Sequence, residues 1–276
     1  MTWLVVARKD VADAARSRLL WATIALFAGL TSLTVVLPLV LPVPEEGAVA
    51  GVQLAAQFAG SLVPITALVA AYLSVAGERE SGSLKILLGF PPSRRDVVLG
   101  KFVGRSFVVL VAAVAGFSLA GVVALAAYGT LPVGAFAGVA ALTGLLAVVF
   151  VGIAVGLSAA FDTRGRAMTA AVGVYVVLTV LWDMVPLGTH VAVTGELPGA
   201  TVPAWFYGVT AFSPTGAYNM LTRSVLDGAY VAPSVVGRVA GEIPFYLDAR
   251  FLVVVVVAWT VVPLVLGYWR FERADL

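Results

Sequence analysis

The 276-residue chain has no cysteine and a single histidine, His190. Disulfides, thiolate zinc sites and cysteine nucleophiles are therefore excluded, as is any metal site built from several histidines. Four methionines, counting Met1, do not make a path for a soft metal such as copper. Charge is also scarce. Only 12% of residues are Asp, Glu, Lys or Arg, about half the roughly 25% of a soluble domain. The net charge of +2 is too small to point to nucleic acid.

Apolar residues fill the space that charge leaves. They make up 61% of the chain, and the mean hydropathy is +1.03. A helix needs roughly 20 apolar residues to cross a hydrocarbon core of about 30 Å. Six runs meet that need: 19–41, 52–76, 106–127, 136–160, 167–185 and 251–269. They are continuous rather than alternating, which selects helices over barrel strands. The expected fold class is all-α, a polytopic membrane protein of one domain over 1–276 with six transmembrane helices. The first run has 23 residues, beyond the roughly 7–15 of a signal-peptide core, and reads as a retained span.

The segments between the runs carry the remaining information. In 1–18, Trp3, Leu4, Ala7, Val11, Ala14 and Ala15 share one helical sector, with Arg8, Lys9, Asp13 and Arg16 opposite. That pattern predicts an amphipathic helix in the membrane interface. Ser93 and Asp96 have the spacing of a capping box, so the third helix can start ahead of its apolar run. Segment 187–250 holds several prolines and the aromatic cluster Trp205, Phe206, Tyr207, Phe212 and Tyr218. It predicts an external excursion of short helices at or dipping into the outer leaflet, and Asp248 is placed to cap the last span. With both termini in the cytoplasm, 14 of the 17 basic residues fall inside and only Arg223, Arg238 and Arg250 outside. The positive-inside rule selects that orientation.

Catalytic patterns are missing. The phosphate loop G-x-x-x-x-G-K-[ST] fails at Gly100-Lys101, which Phe102 follows and where Arg95 stands in place of the first glycine. His190 follows Pro186 and Gly188 and reads as a solvated loop residue. Asp183 is the one candidate intramembrane acid; at the end of its run it can snorkel to the interface. Gly152 and Gly156 are spaced for close helix packing.

One segment stands apart. Residues 77–101 concentrate Arg79, Lys85, Arg94, Arg95 and Lys101 with Glu78, Glu80 and Asp96. Ser81-Gly82 reads as a turn, 83–88 as a short helix bearing Leu84, Leu87 and Leu88, and Pro91 and Pro92 as its stop. A short rigid helix held between two spans suits either a groove on a partner protein or the lipid headgroups.

The sequence of this segment resembles the cytoplasmic loop of ABC-2-type transporter permeases. The shared pattern runs Glu78-Arg79-Glu80-Ser81-Gly82-Ser83-Leu84-Lys85-Ile86-Leu87-Leu88, then Pro91, Ser93-Arg94 and Gly100-Lys101. Within that family the chain is most similar to permeases of nitrous-oxide-reductase maturation systems and to haloarchaeal relatives. The resemblance covers the whole chain, and it implies a permease subunit without catalytic activity. Two such subunits, identical or similar, would work with separate ATPase subunits that bind ATP and Mg, and this chain would hold no cofactor. Glu78, Arg79, Glu80, Gly82, Ser83, Leu84, Lys85, Leu87, Leu88, Pro91, Ser93, Arg94 and Lys101 would form the ATPase-coupling element. Residues 83–88 would make the contact, with Glu78, Arg79 and Arg94 holding its frame by local charge pairs. The resemblance further implies export, of a small or sulfur-containing species or of a lipid or drug-like molecule. Two alternatives from other classes are an ion-coupled secondary transporter using Asp183 and a membrane anchor for a soluble partner.

Overall fold

A computed structural model of the chain describes residues 2–41, 47–89, 92–227 and 233–274. The elements run α1 (Thr2–Ala15), α2 (Arg18–Val36), α3 (Gly47–Ala71), α4 (Ala76–Glu80), α5 (Ser83–Leu88), α6 (Arg94–Tyr128), α7 (Val133–Ala160) and α8 (Arg164–Tyr175). A π-helical turn (Val176–Leu181) extends α8. After it come α9 (Met184–Thr194), β1 (Val202–Pro203), α10 (Ala204–Phe212), α11 (Pro214–Asp227), α12 (Pro233–Val236), β2 (Val239–Ala240) and α13 (Ala249–Glu272). The two strands form only a two-residue parallel bridge, Val202 opposite Val239.

Among the described residues six helices are long and apolar enough to cross a membrane: Trp21–Leu39, Gly47–Glu80, Arg94–Tyr128, Val133–Ala160, Arg164–Leu181 and Ala249–Glu272. An even number of crossings puts both chain ends, the α4–α5 segment and the α7–α8 connection on one face, here the termini face. The α8–α13 excursion lies on the other, the far face. The 35 residues of α6 span about 52 Å at 1.5 Å per residue, well beyond a hydrocarbon core of about 30 Å. Its first turns therefore stand clear of the apolar layer. The capping box read from the sequence starts it: Ser93 Oγ accepts from Asp96 N at 3.2 Å, and Asp96 Oδ2 accepts from Ser93 N at 3.0 Å. Asp248 caps α13, accepting from Arg250 N at 2.7 Å.

Helix α7 lies at the centre, packed against α3, α6, α11 and α13. It is apolar on every side, as a helix surrounded by others must be. Gly152 and Gly156 form its seam with α13. A Cβ on Gly152 would strike Thr260, and one on Gly156 would strike the Pro263 carbonyl.

The excursion does more than rest on the far face. Helices α10 and α11 form a hairpin whose tip, Phe212 to Pro214, enters the bundle. Trp259 Nε1 donates to Phe212 O at 2.7 Å, and Thr215 Oγ1 donates to Leu178 O at 2.8 Å. Trp259 is the eleventh residue of α13, about 15 Å from its far-face end, or half the thickness of the core. The fully buried Tyr218 donates to Ala56 O at 3.1 Å and lies 3.0 Å from Thr143 Oγ1. In lipid every backbone and hydroxyl group needs such a partner.

His190 differs from its expectation. It is not a solvated loop residue but sits on α9, buried, with its ring 6.0 Å from that of Trp205 and 5.8 Å from that of Phe206. Pro186 suggested a break, yet it falls in the first turn of α9, where the missing N–H is tolerated.

Candidate functional site

The residues of the 77–101 motif converge on the termini face. The second span ends at α4, where Val75 N and Ala76 N both donate to the buried Ser158 Oγ of α7, each at 3.0 Å. Gly82 then turns the chain with φ of 76°, in the left-handed region that glycine tolerates. Ser83 Oγ lies 2.9 Å from Ser81 Oγ and donates to Glu78 O at 3.3 Å, which fixes the start of α5 against α4. Leu84 is fully buried and Leu88 half-buried, both packed into the main core. Leu84, expected to be presented to a partner, instead anchors α5 to the bundle. The side chains of Lys85, Ile86 and Leu87, and all of Phe90 and Pro91, lie outside the described residues.

Five charges of the motif, Glu78, Arg79, Glu80, Arg94 and Lys101, reach other elements. Glu78 Oε1 accepts from Lys101 Nζ at 2.7 Å and has Lys9 Nζ at 3.8 Å. Lys101 Nζ also donates to Asp10 Oδ1 at 3.0 Å, and the Arg105 guanidinium flanks Asp10 at 2.9 Å (Nε to Oδ2) and 3.2 Å (Nη2 to Oδ1). Asp10 is 1% exposed and Lys101 4%. This chain of charges joins α1, α4 and α6. It forms because Gly100 and Gly104 let α1 lie on α6; a Cβ on Gly100 would sit 2.6 Å from Val6 Cβ, and one on Gly104 2.9 Å from Asp10 Oδ2. The α1 face toward α6 is Val6, Ala7, Asp10 and Ala14, all buried. It shares Ala7 and Ala14 with the apolar sector read from the sequence, but it is covered by protein and holds an acid.

Arg79 pairs with Asp162 at 2.6 Å, between α7 and α8. Glu80 Oε2 accepts from the Arg164 backbone N at 2.6 Å, at the first turn of α8, where a carboxylate also meets the positive end of the helix dipole. Arg94 Nη1 donates to the carbonyls of Phe271, Glu272 and Ala274 at 2.6, 2.9 and 2.8 Å, capping the end of α13. Glu78 thus finds a partner, Lys101, within the segment, whereas those of Arg79 and Arg94 are distant in sequence. Asp183 stands apart from this group, exposed at the break between the π turn and α9.

Sequence reasoning missed Asp10, Arg105, Ser158, Asp162 and Arg164 as members of this site. One signal was available: Asp10 has Val6, Ala7 and Ala14 three or four residues away, on one helix face. Among the described residues no group of three His, Asp or Glu could hold a metal. The arrangement offers mechanical connection rather than chemistry: one short helical unit is tied by charge to four other parts of the bundle.

Residues 4–276, nearly the whole chain, match the family described as ABC-2 family transporter protein. The chain belongs to the ABC-2 transporter family. It is 30% identical over 283 aligned positions to the "Probable ABC transporter permease protein NosY" of Stutzerimonas stutzeri, covering 97% of each chain. It is likewise 30% identical over 286 positions to the protein of the same name from Pseudomonas aeruginosa, covering 98% of each. The ABC-2 chain is thus a multi-pass membrane permease subunit of an ABC transporter, related to NosY-type permeases. A permease subunit of this family carries no catalytic step of its own.

Proposed function

We propose that this ABC-2 permease is driven by a separate ATPase subunit that seats on α5, and that it acts as an exporter in a pair of permease chains. ATP and Mg would be held by the ATPase. The termini face, which carries most of the basic residues, would face the cytoplasm, with α1 lying at its interface. The observation that carries the reading is the wiring of the α4–α5 unit. A force applied at α5 reaches α1 and α6 through Glu78 and Lys101, the α7–α8 connection through Arg79 and Glu80, and α7 through Ser158. Arg94, just beyond α5, reaches the end of α13. A groove on the ATPase that holds a short helix would thereby move several spans together.

The test is a pull-down of the solubilised chain from its native membrane, with an ATPase assay on the eluate. A stoichiometric soluble ATPase is expected, lost in the Lys85→Glu, Leu87→Asp double variant while the permease stays folded. A folded permease pair eluting without any ATPase would contradict the proposal.

A further inference from the structure

At the termini face the ends of α7 and α13 enclose an open recess of about 570 Å³, lined by Arg79, Asp162, Trp269, Arg270 and Arg273 with two alanines. Its charge is unbalanced. Asp162 is taken by Arg79 at 2.6 Å. Neither Arg270 nor Arg273 has a carboxylate within ion-pair reach among the described residues; instead each is laid on an aromatic ring. The Arg270 guanidinium is 5.9 Å from the Phe161 ring centroid and that of Arg273 3.9 Å from that of Trp269. Such contacts fix the guanidinium planes while leaving their N–H forks free. The end of a helix is ordinarily unfavourable for an anion. Here Arg94 occupies the carbonyls of Phe271, Glu272 and Ala274, so the negative end of α13 is already compensated.

The recess continues an apolar path. Val262, Val265, Leu266 and Trp269 are all more than half exposed, and with Arg273 they recur at helical spacing on one face of α13. From Val262 to Arg273 the helix rises about 16 Å, close to half the hydrocarbon thickness of a bilayer. An acyl chain laid along this stripe therefore ends with its headgroup at the arginines.

We propose that this recess is a binding site for one anionic phospholipid of the termini-side leaflet, its phosphate held by Arg270 and Arg273 and its chain lying on Val262, Leu266 and Trp269. Basic pockets between spans at this depth suit such headgroups. The site is independent of the ATPase reading. Arginines that merely snorkel would attract anionic lipid loosely without holding one copy in place.

The experiment is native mass spectrometry of the delipidated full chain in detergent, titrated separately with phosphatidylglycerol, phosphatidylcholine and inorganic phosphate. Two cations at the membrane surface predict that phosphatidylglycerol is retained roughly thirty-fold more tightly than phosphatidylcholine, at one copy per protomer. That preference should disappear in the Arg270→Gln, Arg273→Gln double variant and survive in Arg166→Gln, which removes an exposed cation elsewhere on the same face. Equal retention of the two lipids by the unaltered chain would overturn the proposal without any variant. So would inorganic phosphate binding as tightly as the lipid, which would make the recess a site for a free anion. Loss of the chain's self-association or of a bound protein in the double variant, with lipid retention unchanged, would reassign the patch to a protein contact.

Discussion

The two faces of the bundle are held together by different physics. On the termini face the links are charges: Glu78, Lys101, Asp10 and Arg105 in one chain, Arg79 with Asp162, and Glu80 at the start of α8. On the far face aromatic rings and neutral hydrogen bonds hold the α10–α11 hairpin. Trp182 and Trp259 donate to the backbone of α10, their rings flank Phe212, and Tyr218 bridges α11 to α3 and α7. Neutral donors can be satisfied at the depth the hairpin reaches, where an ion would be expensive. Charge belongs where α6 and α4 leave the apolar layer. There it holds the elements in register, which fits the proposal that this part responds to an ATPase subunit.

Removing one buried ion should give the largest effect. Asp10→Asn or Lys101→Met takes one of two partners from a buried ion, leaving Glu78 beside Lys101 or Arg105 beside Asp10, and should destabilise by about 3 kcal/mol, the low end for breaking a buried pair, read as a fall in the unfolding temperature in detergent. The double variant should lose less than the sum of the two, since the sites share one network. Next comes Ser158→Ala. It strips the acceptor from two buried N–H groups, for about 1–3 kcal/mol each, and should loosen α4, seen as faster hydrogen exchange at Val75 and Ala76. Tyr218→Phe makes the same test on the far face, with an expected loss of about 1–3 kcal/mol and no change in exchange across α4 and α5. The smallest effect should be Arg79→Gln, whose partner Asp162 is 57% exposed; a surface pair of this kind contributes at most about 1 kcal/mol. Raising salt should weaken the exposed pairs at Asp162 and Arg164 and leave Asp10–Lys101 nearly unaffected, because buried ions are poorly screened.

The six spans were legible because a continuous apolar run of sufficient length has few other uses in a chain so poor in charge. The start of α6 and the cap of α13 were legible because Ser93, Asp96 and Asp248 act within a few residues of themselves. What could not be read depends on partners distant in sequence. Asp10 is buried only because Gly100 and Gly104 admit α1, 90 residues away in the chain. Leu84 looked like a knob for a partner because periodicity fixes which residues share a face but not what the face meets. The depth of the α10–α11 hairpin is set by Trp259 and Tyr218, whose hydrogen bonds leave no local signature. His190 was misplaced for the same reason: its neighbours Trp205 and Phe206 belong to another helix.

The central claim is that α4–α5 is wired through Lys101 to α1, so that an event at α5 is felt there. The most direct measurement is hydrogen exchange of the full chain with and without its ATPase and ATP, followed at residues 2–15. The account predicts that ATPase capture at α5 alters protection across α1, and that Lys101→Met abolishes this distant change while α5 itself remains protected. Unaltered α1 protection in the wild-type complex, or a change that persists in Lys101→Met, would contradict it.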